Sequence, residues 1–460
     1  MNNSILSRGR SIDRWEPDDP AFWEAEARPI ARKNLIFSIF AEHIGFSIWV
    51  LWTIVVLNVD AGLSLGEKFW LTAVPNLVGA ALRIPYTFAV PRFGGRVWTT
   101  FSAAMLLLPA LLVAIVVPSG WLAEQSHDTQ FWVLLACAAT AGVGGGNFAS
   151  SMANISFFYP EQRKGFALGL NAAGGNLGVA ITQLVVPLVI LSGLAWAGLM
   201  WIPFIVAAAL GAWLYMDSLT QMKADTSAYA AAIRQPQAWF MSILYIGTFG
   251  SFIGYSFALP LVIKNTFPEF LAQHHFIADK LAGLAFCGAL IGSVARPLGG
   301  WLADRAGGAR VTLAVFVGMG LLTISAIVGV EQHSFALFFA SFMVIFLLAG
   351  MGNGSTYRMI PSIFAELGRR DGAADSTLRF KRQAAAVIGL TGAVGAFGGF
   401  LIQVVFRQAS LSATGHPDWA VPALTTFVIA YVVFAAMTWF LYLRRSFVIE
   451  RISSLASASI

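Results

Sequence analysis

Apolar stretches of about twenty residues recur along this 460-residue chain, and that recurrence limits its fold more than any other feature. A helix needs ~20 such residues to cross a ~30 Å hydrocarbon layer. Twelve runs qualify, at 35–58, 68–90, 97–117, 130–154, 165–192, 196–216, 238–263, 281–303, 310–330, 334–358, 384–406 and 420–443. Only 11% of the residues are charged against 57% hydrophobic, with a mean hydropathy of +0.72, whereas soluble domains carry about a quarter charged. In lipid every backbone N–H and C=O must be satisfied within the protein, which leaves helices or a closed barrel. The period-2 alternation of a barrel is missing. The expected fold class is therefore an all-α integral membrane protein of 12 transmembrane helices.

The basic residues predict its orientation. Arg28, Arg32 and Lys33 precede the first run, and later groups are Arg92/Arg96, Arg163/Lys164, Lys223/Arg234, Arg305/Arg310, Arg369/Arg370, Arg379/Lys381/Arg382 and Arg444/Arg445. All fall on the side of the N-terminus, while the opposite connections hold mainly Lys68, Lys264, Lys280 and Arg407. By the positive-inside rule the basic side is cytoplasmic, so a multi-pass protein of the cytoplasmic (inner) membrane with both termini cytoplasmic is expected. The net charge of +6 records this topology and carries no nucleic-acid inference. The first 34 residues are too polar for a signal peptide. Cys137 and Cys287 both lie in apolar runs, where a disulfide framework is not expected.

The chain also repeats itself. "RIPYTFAVPRFGG" from Arg83 and "RPLGGWLADRAGG" from Arg296 share a proline just after the arginine (Pro85, Pro297), a second arginine nine residues on (Arg92, Arg305) and a glycine pair (Gly94/Gly95, Gly307/Gly308). "AGVGGGNFASS" from Ala141 and "AGMGNGST" from Ala349 each set an asparagine (Asn147, Asn353) among glycines and small hydroxylic residues. The offsets, 296−83=213 and 353−147=206, nearly agree. Two pseudo-symmetric six-helix bundles in the same orientation account for this. The expected organisation is a cytoplasmic N-terminal segment 1–34, bundles 35–216 and 238–443, a cytoplasmic linker 217–237 and a cytoplasmic tail 444–460. Parallel repeats of this kind place substrate near the midplane between the halves.

Arg83 and Arg296 each stand nine residues from an arginine that marks a helix end, which puts them ~13 Å inside the membrane. An arginine at mid-span costs on the order of 2.5–3.5 kcal/mol on insertion scales and generally faces a cavity and a function. Guanidinium is planar, permanently charged and donates paired hydrogen bonds, so one from each half suits a small planar or tetrahedral oxyanion. Neutralisation by a buried carboxylate or by backbone carbonyls is the structural alternative. The glycines of "KGFALGLNAAGGNLGVA" (Gly165, Gly169, Gly174, Gly175, Gly178) and of run eleven (Gly389, Gly392, Gly395, Gly398) recur every three or four residues. Such spacing lets helices approach closely, and in a rocking carrier slide.

"GWLADRAGGAR", Gly300 to Arg310, resembles the loop motif of the major facilitator superfamily. "GGGNFASSMANISFFYPEQRKGFALGLNAAGGNLG", with "AGMGNGSTYRMIPSIF" and "WEPDDPAFW" before the first run, resembles signature segments of its nitrate/nitrite porter family. The resemblance covers nearly the whole chain. It implies the major facilitator fold, no enzymatic activity, no cofactor and no metal. It also implies that Arg83 and Arg296 bind nitrate or nitrite, with Asn176 and Tyr245 donating hydrogen bonds and Phe148 and Phe249 flanking the anion plane.

Two like charges in an empty low-dielectric site require neutralisation. In one branch of the family a returning anion supplies it. This chain offers "FAEHIGF", where Glu42 lies eight residues past Asn34, ~12 Å deep by helical rise and level with Arg83. His43 is the one histidine of six inside a run. By resemblance the exchanger branch lacks ionisable groups here and the proton-coupled branch carries them. Glu42 and His43 are therefore the proton-coupling candidates, and nitrate/proton symport is expected, with a nitrate/nitrite antiporter as the alternative. Another monovalent oxyanion would keep the fold and change the ligand. Arg358 either gates the cytoplasmic exit or snorkels. A respiratory-enzyme subunit would need cofactor ligands that one intramembrane histidine and two scattered cysteines do not supply. The expected partners are nitrate, nitrite, protons and the lipid bilayer, the chain acting as a monomer.

Overall fold

The computed structural model describes residues 6–7, 10–59, 61–222, 226–373, 375–413, 415–444, 455 and 460. Lys223, Arg445 and most of the tail 444–460 lie outside them. The helices, in chain order, are α1 Pro20–Asn58, α2 Leu65–Phe93, α3 Gly95–Ile115, α4 His127–Phe158, α5 Glu161–Ser192, α6 Trp196–Tyr215, α7 Pro236–Thr266, α8 His275–Ala306, α9 Gly308–Glu331, α10 Phe335–Asp371, α11 Ser376–Ser412 and α12 Val421–Leu443. Among the described residues, eleven of these are long and apolar enough to cross a membrane. The other, α2, has 29 residues and carries Asn76, Arg83, Pro75, Pro85 and Pro91, which dilute its apolarity. With it the count is twelve. A short linker helix, Thr226–Arg234, precedes α7.

Several helices outrun the apolar stretches that announce them. α1 starts at Pro20 rather than near residue 35, and α10 continues to Asp371 rather than ending near 358. Hydropathy marks only the stretch that lies in hydrocarbon, while the helix continues wherever local pairs support it. In the α10 extension Glu366 takes both Arg369 and Arg370 at 2.7 Å, at i+3 and i+4 spacing.

By chain contacts the fold divides into two compact units, Met1–Leu63 with Val74–Ala224, and Ser64–Ala73 with Asp225–Ile460. In the first, the N-terminal segment is built into the bundle. Strands β1 Leu6–Ser7, β2 Ser11–Ile12 and β3 Ser218–Leu219 form a small sheet, β1–β2 antiparallel and β2–β3 parallel. Ile12, Trp15, Trp23, Val90, Phe158 and Leu219 pack into one apolar cluster. Trp15 Nε1 donates to Phe157 O at 3.1 Å. Asp217 is buried and meets Arg10 Nε at 3.0 Å, Lys33 Nζ at 2.9 Å and Asn34 Nδ2 at 3.3 Å. A buried carboxylate is tolerated when so partnered.

The second unit has its own polar core. Gln403 accepts from Thr72 Oγ1 at 2.9 Å and donates to Gly254 O at 2.8 Å, and Ser251, Tyr431 and Tyr255 form a buried hydroxyl chain with spacings of 2.8 and 2.7 Å.

The internal repeat is visible in the backbone. Gly94 and Gly307 hold φ of 86° and 90° in the turns after α2 and α8, a conformation open to glycine. A methyl at Gly145 would lie 2.9 Å from Gly79 Cα, and one at Gly350 would lie 2.9 Å from Gly292 Cα. Gly79 and Gly292 are each four residues before an arginine, Arg83 and Arg296. Close helix contact is thus built one turn from each charge. Gly350→Val should overpack this contact by about 1–3 kcal/mol, read as a lower thermal midpoint of the purified protein; an unchanged midpoint would show that the contact is not close.

Candidate functional site

Among the described residues, each unit carries one buried arginine, and both are set among aromatic rings. In the first, Arg83 is 1% exposed. Its guanidinium carbon stands 4.6 Å from the Phe148 ring centre and 5.6 Å from that of Trp49, and Nε donates to Gly145 O at 3.2 Å. Trp49 is fixed by its own bond from Nε1 to Pro75 O at 2.7 Å. Cation–π contact and a backbone carbonyl partly replace the hydration that the charge loses on burial. The carbonyl alternative of the sequence reading is thereby met in part, through Gly145.

In the second unit, Arg296 is 7% exposed. Nη2 donates to Tyr245 Oη at 3.3 Å, and the guanidinium carbon is 5.2 Å from the Tyr357 ring centre. Tyr245 stacks on Phe249 with ring centres 5.3 Å apart and planes 6° from parallel, and meets Tyr357 at 4.5 Å. A π-helical turn, Ile246–Gly250, begins directly after Tyr245 and contains Phe249; such bulges are frequent at functional sites. Gly395 makes room for Tyr245, because a methyl there would collide with the ring. Prolines follow both arginines, and Pro85 and Pro297 deprive the carbonyls of Ala81 and Ser293 of their helical donors.

Asn176 is buried on α5, and neither atom of its amide has a hydrogen-bond partner among the described residues. Asn147 and Asn353, the paired asparagines of the repeat, share that condition. Asn154, also buried, is a fourth; a buried amide without partners is costly, so these four mark places where the chain keeps hydrogen-bonding capacity in reserve. Phe148 lies on the face of Arg83, and Phe249 lies between Tyr245 and Phe252, its centre 6.3 Å from the latter.

Glu42 is 1% exposed on α1. Its Oε2 accepts from Asn171 Nδ2 at 2.7 Å, and Gly175 packs against the carboxylate. It stands one helical turn before Phe46, whose ring centre is 6.1 Å from that of Phe148. His43 is half-buried and donates from Nδ1 to Gly174 O at 2.9 Å, a carbonyl being an acceptor only. Gly178 closes the α1–α5 contact against His43 O and Ser47. Gly165 and Gly169 differ: a methyl at either meets nothing within 4 Å, so packing within this structure does not explain them. Gly392 is buried within α11. Arg358 pairs with Asp304, both partly exposed, which ties α10 to the end of α8.

Trp49, Tyr357 and Asn171 escaped the sequence reading. The signal for Asn171 was its place four residues before Gly175, on the α5 face that meets Glu42. Tyr357 immediately precedes the arginine that drew attention in "STYRM".

Residues 35–403 match the Major Facilitator Superfamily model. The nitrate/nitrite transporter NarU of Escherichia coli (strain K12) is 37% identical over 464 residues, covering 94% of this chain and 96% of that protein. The chain belongs to the nitrate/nitrite porter family of the major facilitator superfamily. The probable nitrate/nitrite antiporter NarK2 of Thermus thermophilus is 34% identical, covering 95% and 98%. The crystal structure of the nucleoside transporter NupG superposes with a TM-score of 0.60 at 12% identity, covering 89% of this chain and 98% of that one, which speaks to the fold alone. Membership makes the chain a multi-pass membrane transporter and not an enzyme.

In this porter the second-unit contact admits a direct test. Gly395→Ala should push Tyr245 off Arg296 and weaken nitrate binding by about tenfold, equivalent to ~1.4 kcal/mol. Gly300→Ala, where a methyl meets nothing within 4 Å, is the matched control and should stay within about twofold. Equal affinity of the two variants in a binding titration would separate Tyr245 from the anion.

Proposed function

We propose that this porter carries nitrate, and nitrite, across the cytoplasmic membrane by alternating access, coupled to protons as a nitrate/proton symporter. The observation that carries the anion site is the pair of deeply buried arginines, each facing aromatic rings in its own unit. Arg83 and Arg296 supply the attraction, Asn176 and Tyr245 donate to the anion's oxygens, and Phe148 and Phe249 line its path. A tyrosine hydroxyl that accepts from a guanidinium donates more strongly in turn. Nitrate is flat, delocalised and weakly hydrated, so apolar rings and a few donors suit it better than they suit a strongly hydrated tetrahedral ion. The names of the relatives support the same substrate.

Proton coupling is supported by Glu42 and His43, ionisable groups buried or half-buried in α1 where an isolated charge is unfavourable. With Glu42 ionised, its charge offsets an arginine in the empty carrier; protonation accompanies nitrate entry. The second reading, nitrate/nitrite exchange through the same residues without a proton step, draws on the Thermus relative being named a probable antiporter. In this reading the basic connections and both termini face the cytoplasm.

Proteoliposomes with imposed pH and voltage gradients distinguish the two. Nitrate uptake should rise with an inward proton gradient in the wild type. Glu42→Gln should lose that dependence while still binding nitrate, and Arg83→Lys or Arg296→Lys should weaken binding by roughly tenfold or more through loss of the paired donors. Uptake indifferent to pH but accelerated by internal nitrite would establish exchange instead.

A further inference from the structure

The carboxylate of Glu42 ends a chain of side chains, Asn171, Ser151 and Ser38, each of which is able both to donate and to accept hydrogen bonds. Asn171 Nδ2 donates to Glu42 Oε2 at 2.7 Å and to Ser151 Oγ at 2.6 Å, and Ser151 Oγ lies 2.9 Å from Ser38 Oγ. All four residues are buried. The other end of the same amide, Asn171 Oδ1, has no hydrogen-bond partner among the described residues. That asymmetry is chemically specific. An ionised carboxylate only accepts, so the amide must turn its N–H₂ toward Glu42, and the two hydrogens of Nδ2 serve Glu42 Oε2 and Ser151 Oγ, with a longer contact to Met152 Sδ at 3.6 Å.

We propose that Asn171 is a positioning residue that reads the protonation state of Glu42 by reversing its amide. When Glu42 gains a proton it becomes a donor, and Asn171 rotates by half a turn about its terminal torsion. Oδ1 then accepts from the Glu42 hydroxyl and from Ser151 with its two lone pairs, while Ser151 and Ser38 reverse their hydroxyls. No covalent bond changes other than that of the proton arriving at Glu42; Nδ2 gives up its two oxygen acceptors and Oδ1 takes up the two donors in their place. The terminal amide torsion is broad and two-fold, so the two settings differ in hydrogen-bond direction rather than in packing. Ser151 is on α4, Asn171 on α5, and Ser38 and Glu42 on α1. Protonation at one atom therefore alters bonds that join three helices.

Few other charged groups face Glu42. The membrane portions 131–158 of α4 and 165–192 of α5 contain no charged residue, and neither does α6, which meets α1 at Phe37. His43 stands next to Glu42 and is bonded to Gly174 O. α2 brings Arg83, which lies over Trp49 and Phe148. Asn171 is a neutral group bonded directly to the carboxylate, and a donor held against the ionised form favours that form.

This inference rests on the proton-coupled reading, and the experiment separates the two. Nitrate-dependent proton uptake is followed against pH in proteoliposomes for the wild type, Glu42→Gln, Asn171→Leu, Ser151→Ala and the double variant Glu42→Gln/Asn171→Leu. Asn171→Leu keeps the branched outline and the number of heavy atoms, though its methyl groups are larger, and removes the donor; it should move the midpoint upward by about one pH unit, tenfold in proton concentration. Ser151→Ala should move it in the same direction by less, because it leaves an amide N–H unused in the ionised state and only a lone pair unused in the protonated one. In the Glu42→Gln background Asn171→Leu should change nothing further. Binding of nitrate by Asn171→Leu at acidic pH shows that the variant is folded; if it does not bind, Ser151→Ala alone decides. A midpoint that stays put in a folded Asn171→Leu, or in Ser151→Ala where that one decides, overturns the role of Asn171. A wild type with no proton dependence, or Glu42→Gln retaining it, overturns the proton reading itself.

Discussion

Permanent guanidinium charge inside an apolar helical bundle is the constraint around which both units of this porter are arranged. Neither Arg83 nor Arg296 sheds its charge by losing a proton, so the protein must supply what water would have given. In the first unit it does so with the faces of Phe148 and Trp49 and the carbonyl of Gly145. In the second it uses the Tyr245 hydroxyl and the face of Tyr357. These substitutes are directional, and they must be brought close. Glycines do this: Gly145 against Gly79, Gly350 against Gly292 and Gly395 against Tyr245 are positions where a single methyl would force the helices or rings apart. Small residues and buried charges are therefore one feature seen from two sides.

The two units share a skeleton and differ in chemistry at one matched place. Gly175 and Gly178 of α5 correspond to Gly395 and Gly398 of α11, each 220 residues on. Gly175 lies against Glu42, and Gly395 lies against Tyr245. The interval from 42 to 245, 203 residues, also separates Phe46 from Phe249 and Trp49 from Phe252. The repeat has thus kept the glycine that creates the space and changed what fills it. One unit places a neutral hydroxyl there, bonded to its arginine; the other places an acid, bonded to Asn171. That divergence is hard to attribute to packing, since a buried carboxylate is the more costly occupant.

Much of this was legible in the residues. Twelve helices follow from the apolar runs, and the repeated arginine, proline and glycine pairs single out Arg83 and Arg296, because an arginine amid so little charge stands out by itself. What escaped was of two kinds. Helix ends beyond the hydrocarbon, such as the α10 extension to Asp371, depend on pairs like Glu366 with Arg369 and Arg370 that hydropathy does not register. Neutral partners were missed as well. Trp49 and Tyr357 are two aromatic residues in a chain with 15 tryptophans, 9 tyrosines and 37 phenylalanines, and only the fold tells which rings meet a charge. How the N-terminal segment joins its bundle is not legible either: β2 pairs with β3, and Arg10, Lys33 and Asn34 converge on Asp217. Contacts across some 200 residues of chain leave no local pattern.

Charge counting on the proposed cycle shows where coupling must reside. Two arginines and an ionised Glu42 sum to +1 in the empty carrier, and binding one nitrate together with one proton returns the same +1. The empty and fully loaded forms therefore face the same electrostatic penalty when they reorient. A carrier with the proton and no nitrate stands at +2, and repulsion in a low dielectric opposes it. A carrier with nitrate and no proton stands at 0, and charge alone does not hold it back. Something other than net charge must then distinguish an ionised Glu42 from a protonated one, and it must act on the helices. A hydrogen-bond chain whose direction reverses with that proton, running from α1 through α5 to α4, is a part of the required kind, because it changes the bonds between helices while leaving the sum of charges to the ions that pass.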